Sequence, residues 1–403
     1  MRNSTFNTDD DFRFNACVGN NGWVDHSTYS DGFDEAVTSL CQTVFNGGTA
    51  DTLIYPIVFC ARHRIELFIK SQLWIVGHIR AGISIPDERI IKTHNLQALW
   101  DLFVEMTKEC DRRYADLVNK CTPTVMDFFA VDPAGETFRY PYSQDGVKHL
   151  TEQSIIGLQR FAQAYAVLTE TMEDIEILSG LLYSEYSAGT YTKNLSRSDI
   201  EDIAKCLPNR DTWADPAGTF DFVRTSLLSK YKIGSREYSE ALNLIQNHRE
   251  FSSHVGLKNS VQHCNPSRLF ETFKLRSALS QHSNSIQNAL NPQYVKHRAN
   301  FANYLNNEIS NEELATLLAL HELGSSHGSY SELYDSLYAK NLTDVQHNKP
   351  ENIAYIIGKG MLEERAKFAL RKMGQTQILA ELTIMESSTT SQTSEIDDST
   401  SGQ

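Results

Sequence analysis

The sequence predicts an all-α protein, a helical bundle followed by a second helical region. Three observations predict it. Apolar residues recur at helical three-to-four-residue spacing from about residue 34 into the 370s. Alternating βαβ patterning is missing, and the breaks between apolar stretches are short Gly, Pro, Asn and Asp clusters. With 403 residues and 40% apolar content, the chain holds one large helical domain or two to three ordinary ones.

Residues 1–30 are rich in Asn, Asp, Ser and Gly and read as an irregular lead-in. Asp34 to Phe45 gives a short helix stopped by Gly47-Gly48. A strongly apolar helix follows from about Asp51 to Gly77, with Pro56 tolerated near its first turn, where N–H groups lack intrahelical partners. Residues 82–92 connect to a third helix, opened by Thr93 as N-cap and running to about Lys120. Pro123 interrupts, and 123–147 reads as a turn and extended insertion containing Asp132-Pro-Ala-Gly135. A long helix over 148–187, with Leu150, Ile155, Leu158 and Phe161 at core spacing, completes a bundle over 31–190. The region 191–385 stays helical but is broken more often: a capped helix at Ser198, a turn from Trp213 to Phe220, and helices at 238–247, 295–324 and 350–373. Asp-Pro-Ala-Gly recurs at 215, as a turn-former rather than a repeat. From Glu386 to 403 the chain is Ser, Thr, Asp and Gln and reads as a disordered tail.

A net charge of −14 means that the surface as a whole repels nucleic-acid phosphate. One local exception exists: residues 58–80 hold Arg62, Arg64, Lys70 and Arg80 against Glu66 alone. Seven scattered cysteines without a Cys-x-x-Cys pair argue against zinc sites and a disulfide framework. The polar, acidic start is unlike a signal peptide, and no apolar run reaches membrane-spanning length. These features predict a cytoplasmic protein with no membrane, no metal and no cofactor.

Chemistry concentrates on the second helix. Arg62, His63, Glu66 and Lys70 fall within a sector of roughly 100° on an otherwise apolar surface. Arg62, Glu66 and Lys70 are spaced i, i+4, i+8, which permits two consecutive ion pairs. Buried charge is costly unless paired, so the stripe is either an internal network centred on Glu66 or the wall of a phosphate-binding cleft. Arginine suits the cleft because its planar fork matches phosphate oxygens. His94, opening the next helix, is a local capping residue or faces an anion there. Arg139, between Phe138 and Tyr140, stacks on them or closes a cleft. Phosphate loops, dinucleotide fingerprints and nucleophile elbows are missing, and His321-Glu322 lacks a second histidine at metalloprotease spacing.

The pattern Tyr55-Pro-(apolar)4-Arg-His-x-Ile-Glu-Leu-x-x-Lys70, followed by His94-Asn-Leu-x-x-Leu-Trp100 and the turn Phe138-Arg-Tyr-Pro141, resembles HEPN proteins (higher eukaryotes and prokaryotes nucleotide-binding), in particular a poorly characterised bacterial branch. The resemblance covers roughly residues 30–190. It implies a four- to five-helix bundle, commonly dimeric. Active members are metal-independent endoribonucleases, many of them toxins or antiphage effectors. Their signature is Arg, four to six residues, then His; the Arg stabilises the scissile phosphate while the His does acid–base work. Arg89–His94, Arg249–His254 and Arg276–His282 all fit that spacing, which is short enough to recur by chance. Only Arg89–His94 lies in the HEPN-like portion, with Ile90 in place of the usual polar residue.

The leading expectation is a HEPN-like protein of a bacterial defence or stress system, acting on RNA or a nucleotide, with a second copy or a defence-system protein as partner. Arg89 and His94 would act chemically, while Arg62, His63, Glu66, Lys70 and Arg139 bind phosphate. The rival is a non-catalytic helical dimerisation or interaction protein in which Arg62, Glu66 and Lys70 form a structural network.

Overall fold

A computed structural model describes residues 5–22, 25–83, 92–143, 145–216, 218–280, 291–325 and 330–400, with side chains as far as residue 388. The fold is all-α: sixteen helices form among the described residues, and one isolated antiparallel bridge, Tyr142 to Lys148, is the sole β feature there. No helix among them is long and apolar enough to cross a membrane. The chain divides into two compact units at Ser187/Ala188.

The amino-terminal unit contains α1 (His26–Phe45), α2 (Ala50–Ile79), α3 (Leu96–Cys110), α4 (Ala115–Val131) and α5 (Leu158–Ser187). Helix α2 is its axis, packed against α1, α3 and α5. Its apolar circumference makes this possible: Ile57, Ile65, Phe68, Ile69 and Leu73 are all buried, each contributing roughly 1.5–3 kcal/mol. Trp100 and Phe103 of α3 fill the adjoining space, and the Trp100 indole donates to Thr122 Oγ1 at 3.1 Å. A buried polar chain ties α2 to α5: Tyr114 Oη meets Ser179 Oγ (2.8 Å), which donates to Gln72 Oε1 (2.7 Å).

Several boundaries differ from the sequence reading. Asn95, not Thr93, caps α3, its Oδ1 accepting from the Ala98 N–H at 2.9 Å. The helix expected to reach Lys120 breaks at Asp111, whose extended backbone and carboxylate start a new turn. Pro123 lies inside α4 rather than ending it, because Val118, Cys121, Val125 and Phe128 bury one continuous face across the proline. Residues 148–157 are not helical. Leu150 takes a left-handed conformation (φ +57°), and Ile155 is 81% exposed, so helix α5 starts ten residues late.

The carboxyl-terminal unit contains α6 (Arg197–Cys206), α7 (Phe220–Tyr231), α8 (Ser235–Asn247), α9 (Arg249–His254), α10 (Pro266–Ser280), α11 (Pro292–Asn307), α12 (Asn311–Ser325), α13 (Leu333–His347), α14 (Lys349–Ile357), α15 (Leu362–Lys372) and α16 (Thr376–Thr400). Ser196 and Asp199 form a reciprocal capping box on α6. Helix α12 is buried almost all round, and a Cβ on Gly324 would lie 2.0 Å from the Arg365 carbonyl oxygen, so only glycine lets α12 approach α15 this closely. The helix α16 runs past Glu386, where composition predicts disorder. Ile378 and Leu382 anchor its start, and extending a formed helix is far cheaper than nucleating one.

Candidate functional site

The polar stripe of α2 closes on itself. Glu66 is buried, and its Oε1 accepts from Lys70 Nζ and from His94 Nδ1, each at 2.8 Å. Its Oε2 accepts from Arg62 Nη1 at 3.0 Å. Burial pushes the Glu66 carboxyl up, but Lys70, then His94 and Arg62, outweigh it and hold it below the ordinary carboxylate range. The ionised carboxylate only accepts hydrogen bonds, so His94 Nδ1 carries a proton and the neutral ring's Nε2 is its acceptor. The His94 side chain is 67% exposed while that of Glu66 is 3% exposed, which makes His94 the one member of the cluster that meets solvent broadly.

Arg62 is saturated. Nε donates to the Asp132 carbonyl (2.9 Å), Nη2 to the carbonyls of His94 (2.7 Å) and Pro133 (3.5 Å), and Nη1 to Glu66. Four of the five guanidinium N–H groups are thus spent on this chain. Gly135 covers the remainder: at φ +78° a Cβ there would lie 2.9 Å from Nη1. The Asp132-Pro-Ala-Gly135 turn is therefore the receptor for Arg62, held in shape by Asp132 Oδ1 accepting from the Glu136 and Thr137 N–H groups.

The other expected site residues part company. His63 packs edge-on to Phe33 (4.6 Å) and parallel to Phe59 (5.9 Å), and burial lowers its basicity. Arg139 is exposed over Phe59 and Tyr140, at 5.8 and 5.2 Å from the ring centroids. Arg89 lies outside the described residues, and so does His282. Arg249 of the Arg249–His254 match pairs with Asp335 at 2.9 Å. Two cavities of this unit, of about 190 and 280 Å³, are lined by residues other than Arg62, Glu66, Lys70 and His94.

Neither a family model, a curated protein nor a solved structure matches this chain.

The carboxyl-terminal unit holds a second charged cluster that the sequence reading missed. Arg197, buried, lies between the rings of Phe251 (4.8 Å) and Tyr330 (4.7 Å). Its Nε and Nη2 form a two-pronged contact with Glu332 (2.8 and 3.0 Å), and Nη2 also donates to Glu250. Glu332 further accepts from Thr190 Oγ1 (2.7 Å) and lies 3.0 Å from His248 Nε2. His248 Nδ1 accepts the Phe251 N–H to cap α9, so Nε2 is the protonated nitrogen. Burial pushes Glu332 up, yet His248 and Arg197 hold it far below the ordinary range. His248, Glu250 and Glu332 are close enough to share a cation, and the single positive charge of Arg197 already engages both carboxylates. A polar cavity of about 370 Å³ adjoins it, lined by Asn247, His248, Arg249, Lys258 and Asp335 among others.

His321, on α12, is buried. Its Nε2 accepts from Arg365 Nη1 at 3.0 Å, and burial, with Arg365 and Lys359 nearby, pushes its pKa down to about 4.

Proposed function

We propose that this chain is a HEPN-like helical interaction protein of a bacterial defence or stress system, in which the Arg62–Glu66–Lys70–His94 cluster clamps the bundle rather than binding phosphate. One observation carries the reading: the Arg62 guanidinium spends four N–H groups on Glu66 and three backbone carbonyls, and Gly135 covers it. A phosphate could reach it only by dismantling the 132–135 turn. The surface suits contact instead, with Trp74 (59% exposed), Ile177 (63%) and Leu181 (51%) presented outward. A second copy of the chain or a partner protein is the occupant this reading expects.

A second reading, metal-independent RNA cleavage, is favoured by His94. A buried carboxylate holds its Nδ1 and leaves an exposed ring with Nε2 as the proton acceptor, the arrangement a general base requires. Under this reading Arg62 positions His94 through the His94 carbonyl, and Lys70 steadies Glu66.

The two readings separate on expression of wild type and His94→Ala, with RNA integrity and growth followed together, and on sedimentation of the purified chain. The interaction reading expects intact RNA from both and a concentration-dependent assembly weakened by Ile177→Asp. RNA cut by wild type and spared by His94→Ala would overturn it in favour of the nuclease.

A further inference from the structure

Away from the Glu66 cluster, the amino-terminal unit carries an apolar pocket of about 190 Å³, open to solvent on one side. Its walls are Val58, Phe128, Val131, Phe138, Ile156 and Phe161. A hydrocarbon-lined cavity of about 150 Å³ stays dry and accepts benzene, so this space fits one aromatic ring. The Phe128 and Phe161 rings meet at 5.9 Å and 64°, an edge-to-face corner that a third ring can extend. Val58 and Phe138 are buried, which makes the floor dry, while Val131 is 37% exposed and marks the mouth.

Two polar groups reach the cavity, Asp127 and Gln153. Gln153 is engaged within its own segment, its Nε2 donating to the Ile155 carbonyl at 2.7 Å. Asp127 is exposed at the rim and has no hydrogen-bond or ion-pair partner among the described residues. An apolar, ring-sized space with one unpaired carboxylate at its edge selects a compact ring carrying a cation. The phenyl faces reinforce this, since an ammonium is attracted to them and an anion is not.

We propose that this cavity binds a single-ring arylalkylamine, its ring among Val58, Phe128, Phe138 and Phe161 and its ammonium at Asp127. The site is independent of the Glu66 cluster. Residues 150–157, which carry Gln153 and Ile156, form one wall; they lack regular structure and also border the neighbouring cavity of about 280 Å³.

The test titrates the full chain with phenethylamine, toluene and phenylacetate by saturation-transfer NMR. Phenethylamine should bind with transfer strongest at its ring protons, and about tenfold tighter than phenylacetate. Asp127→Asn should bring the two to within about twofold while toluene is unchanged. Val131→Trp, filling the mouth, should abolish binding of all three, with the helical circular-dichroism signal intact; Ile156→Trp provides the same test should Val131→Trp fail to fold. Equal binding of amine and acid, no binding to wild type, or retained binding in a folded filling variant would each overturn the proposal.

Discussion

The Glu66 hub of one unit and the Arg197 hub of the other are both buried, and they are opposite in sign. In the amino-terminal unit a carboxylate, Glu66, is surrounded by Arg62, Lys70 and His94. In the carboxyl-terminal unit an arginine, Arg197, is surrounded by Glu201, Glu250 and Glu332 and stacked between two rings. The difference lies in who can leave. Glu66 shares its charge among three separate donors, one of them largely exposed, so losing one leaves two. Glu250 and Glu332 both accept from a single guanidinium, and Glu332 also lies 3.0 Å from His248 Nε2. A hub with many partners is tolerant, whereas a hub that is itself the shared partner is not.

The sharpest way to break the contrast is Arg197→Leu. It strands two carboxylates that are 15% and 17% exposed, and orphaning buried charges costs about 3–5 kcal/mol. Arg197→Lys should rescue little, because an ammonium cannot reproduce the two-pronged contact with Glu332 or lie flat between Phe251 and Tyr330. Urea midpoints give the size of the loss, and hydrogen exchange in 197–206 and 248–254 locates it. A loss under about 1 kcal/mol would show that Arg197 is not what holds this unit.

Acid should distinguish the units next. His321 has a folded pKa of about 4 against an ordinary 6.5, so the unfolded chain binds its proton first. The stability it lends is complete above pH 6.5 and falls as pH drops from 6.5 to 4, by at most about 3 kcal/mol. Glu66 and Glu332 are also shifted downward, but from an ordinary 4.5. Their contribution holds above that value and is lost only as pH falls further. In the amino-terminal unit half-buried His63 gives a smaller loss of the same sign as His321. Urea midpoints between pH 7.5 and 4, with limited proteolysis to show which unit opens, should find the carboxyl-terminal unit weakening first. His321→Gln, which keeps an acceptor for Arg365, should flatten its slope. An unchanged slope would place the proton uptake elsewhere.

The same contrast explains what could be read from the sequence. Three members of the Glu66 hub share one helix at i, i+4, i+8, so periodicity alone brings them together, and His94 begins the next helix. Apart from Glu201 at i+4, the partners of Arg197 sit at 250–251 and 330–332, and no local rule links positions so far apart. Helix type was readable because apolar spacing is a local property. Helix ends were less so, because they depend on competition: Asp111 ends α3 with a carboxylate that nearby N–H groups need, and Pro123 survives because burial on both sides outweighs its missing bond. The Asp132-Pro-Ala-Gly135 turn shows the limit most clearly. Its shape was legible from composition, but its role, presenting two carbonyls and a bare glycine face to Arg62, exists only once residues seventy positions apart meet.

The smallest effect should come from the tolerant hub. Glu66→Gln keeps the shape of the side chain but removes the charge that Arg62, Lys70 and His94 face. Hydrogen bonds to a charged group contribute about 1.5–3 kcal/mol, and here much of the loss is recoverable. His94 can turn into solvent, and Arg62 keeps its bonds to the Asp132 and His94 carbonyls. Lys70 is the exception: its side chain is 11% exposed, and Glu66 is its ion-pair partner at 2.8 Å. The expected cost is about 2 kcal/mol, most of it the orphaned ammonium. Adding Lys70→Met should therefore recover about half of the loss, since a neutral chain of similar length fills the same space without a charge to satisfy. A double variant less stable than Glu66→Gln alone would show that Lys70 stabilises the bundle independently of Glu66, and that the cluster is a set of separate contacts around α2 rather than one hub.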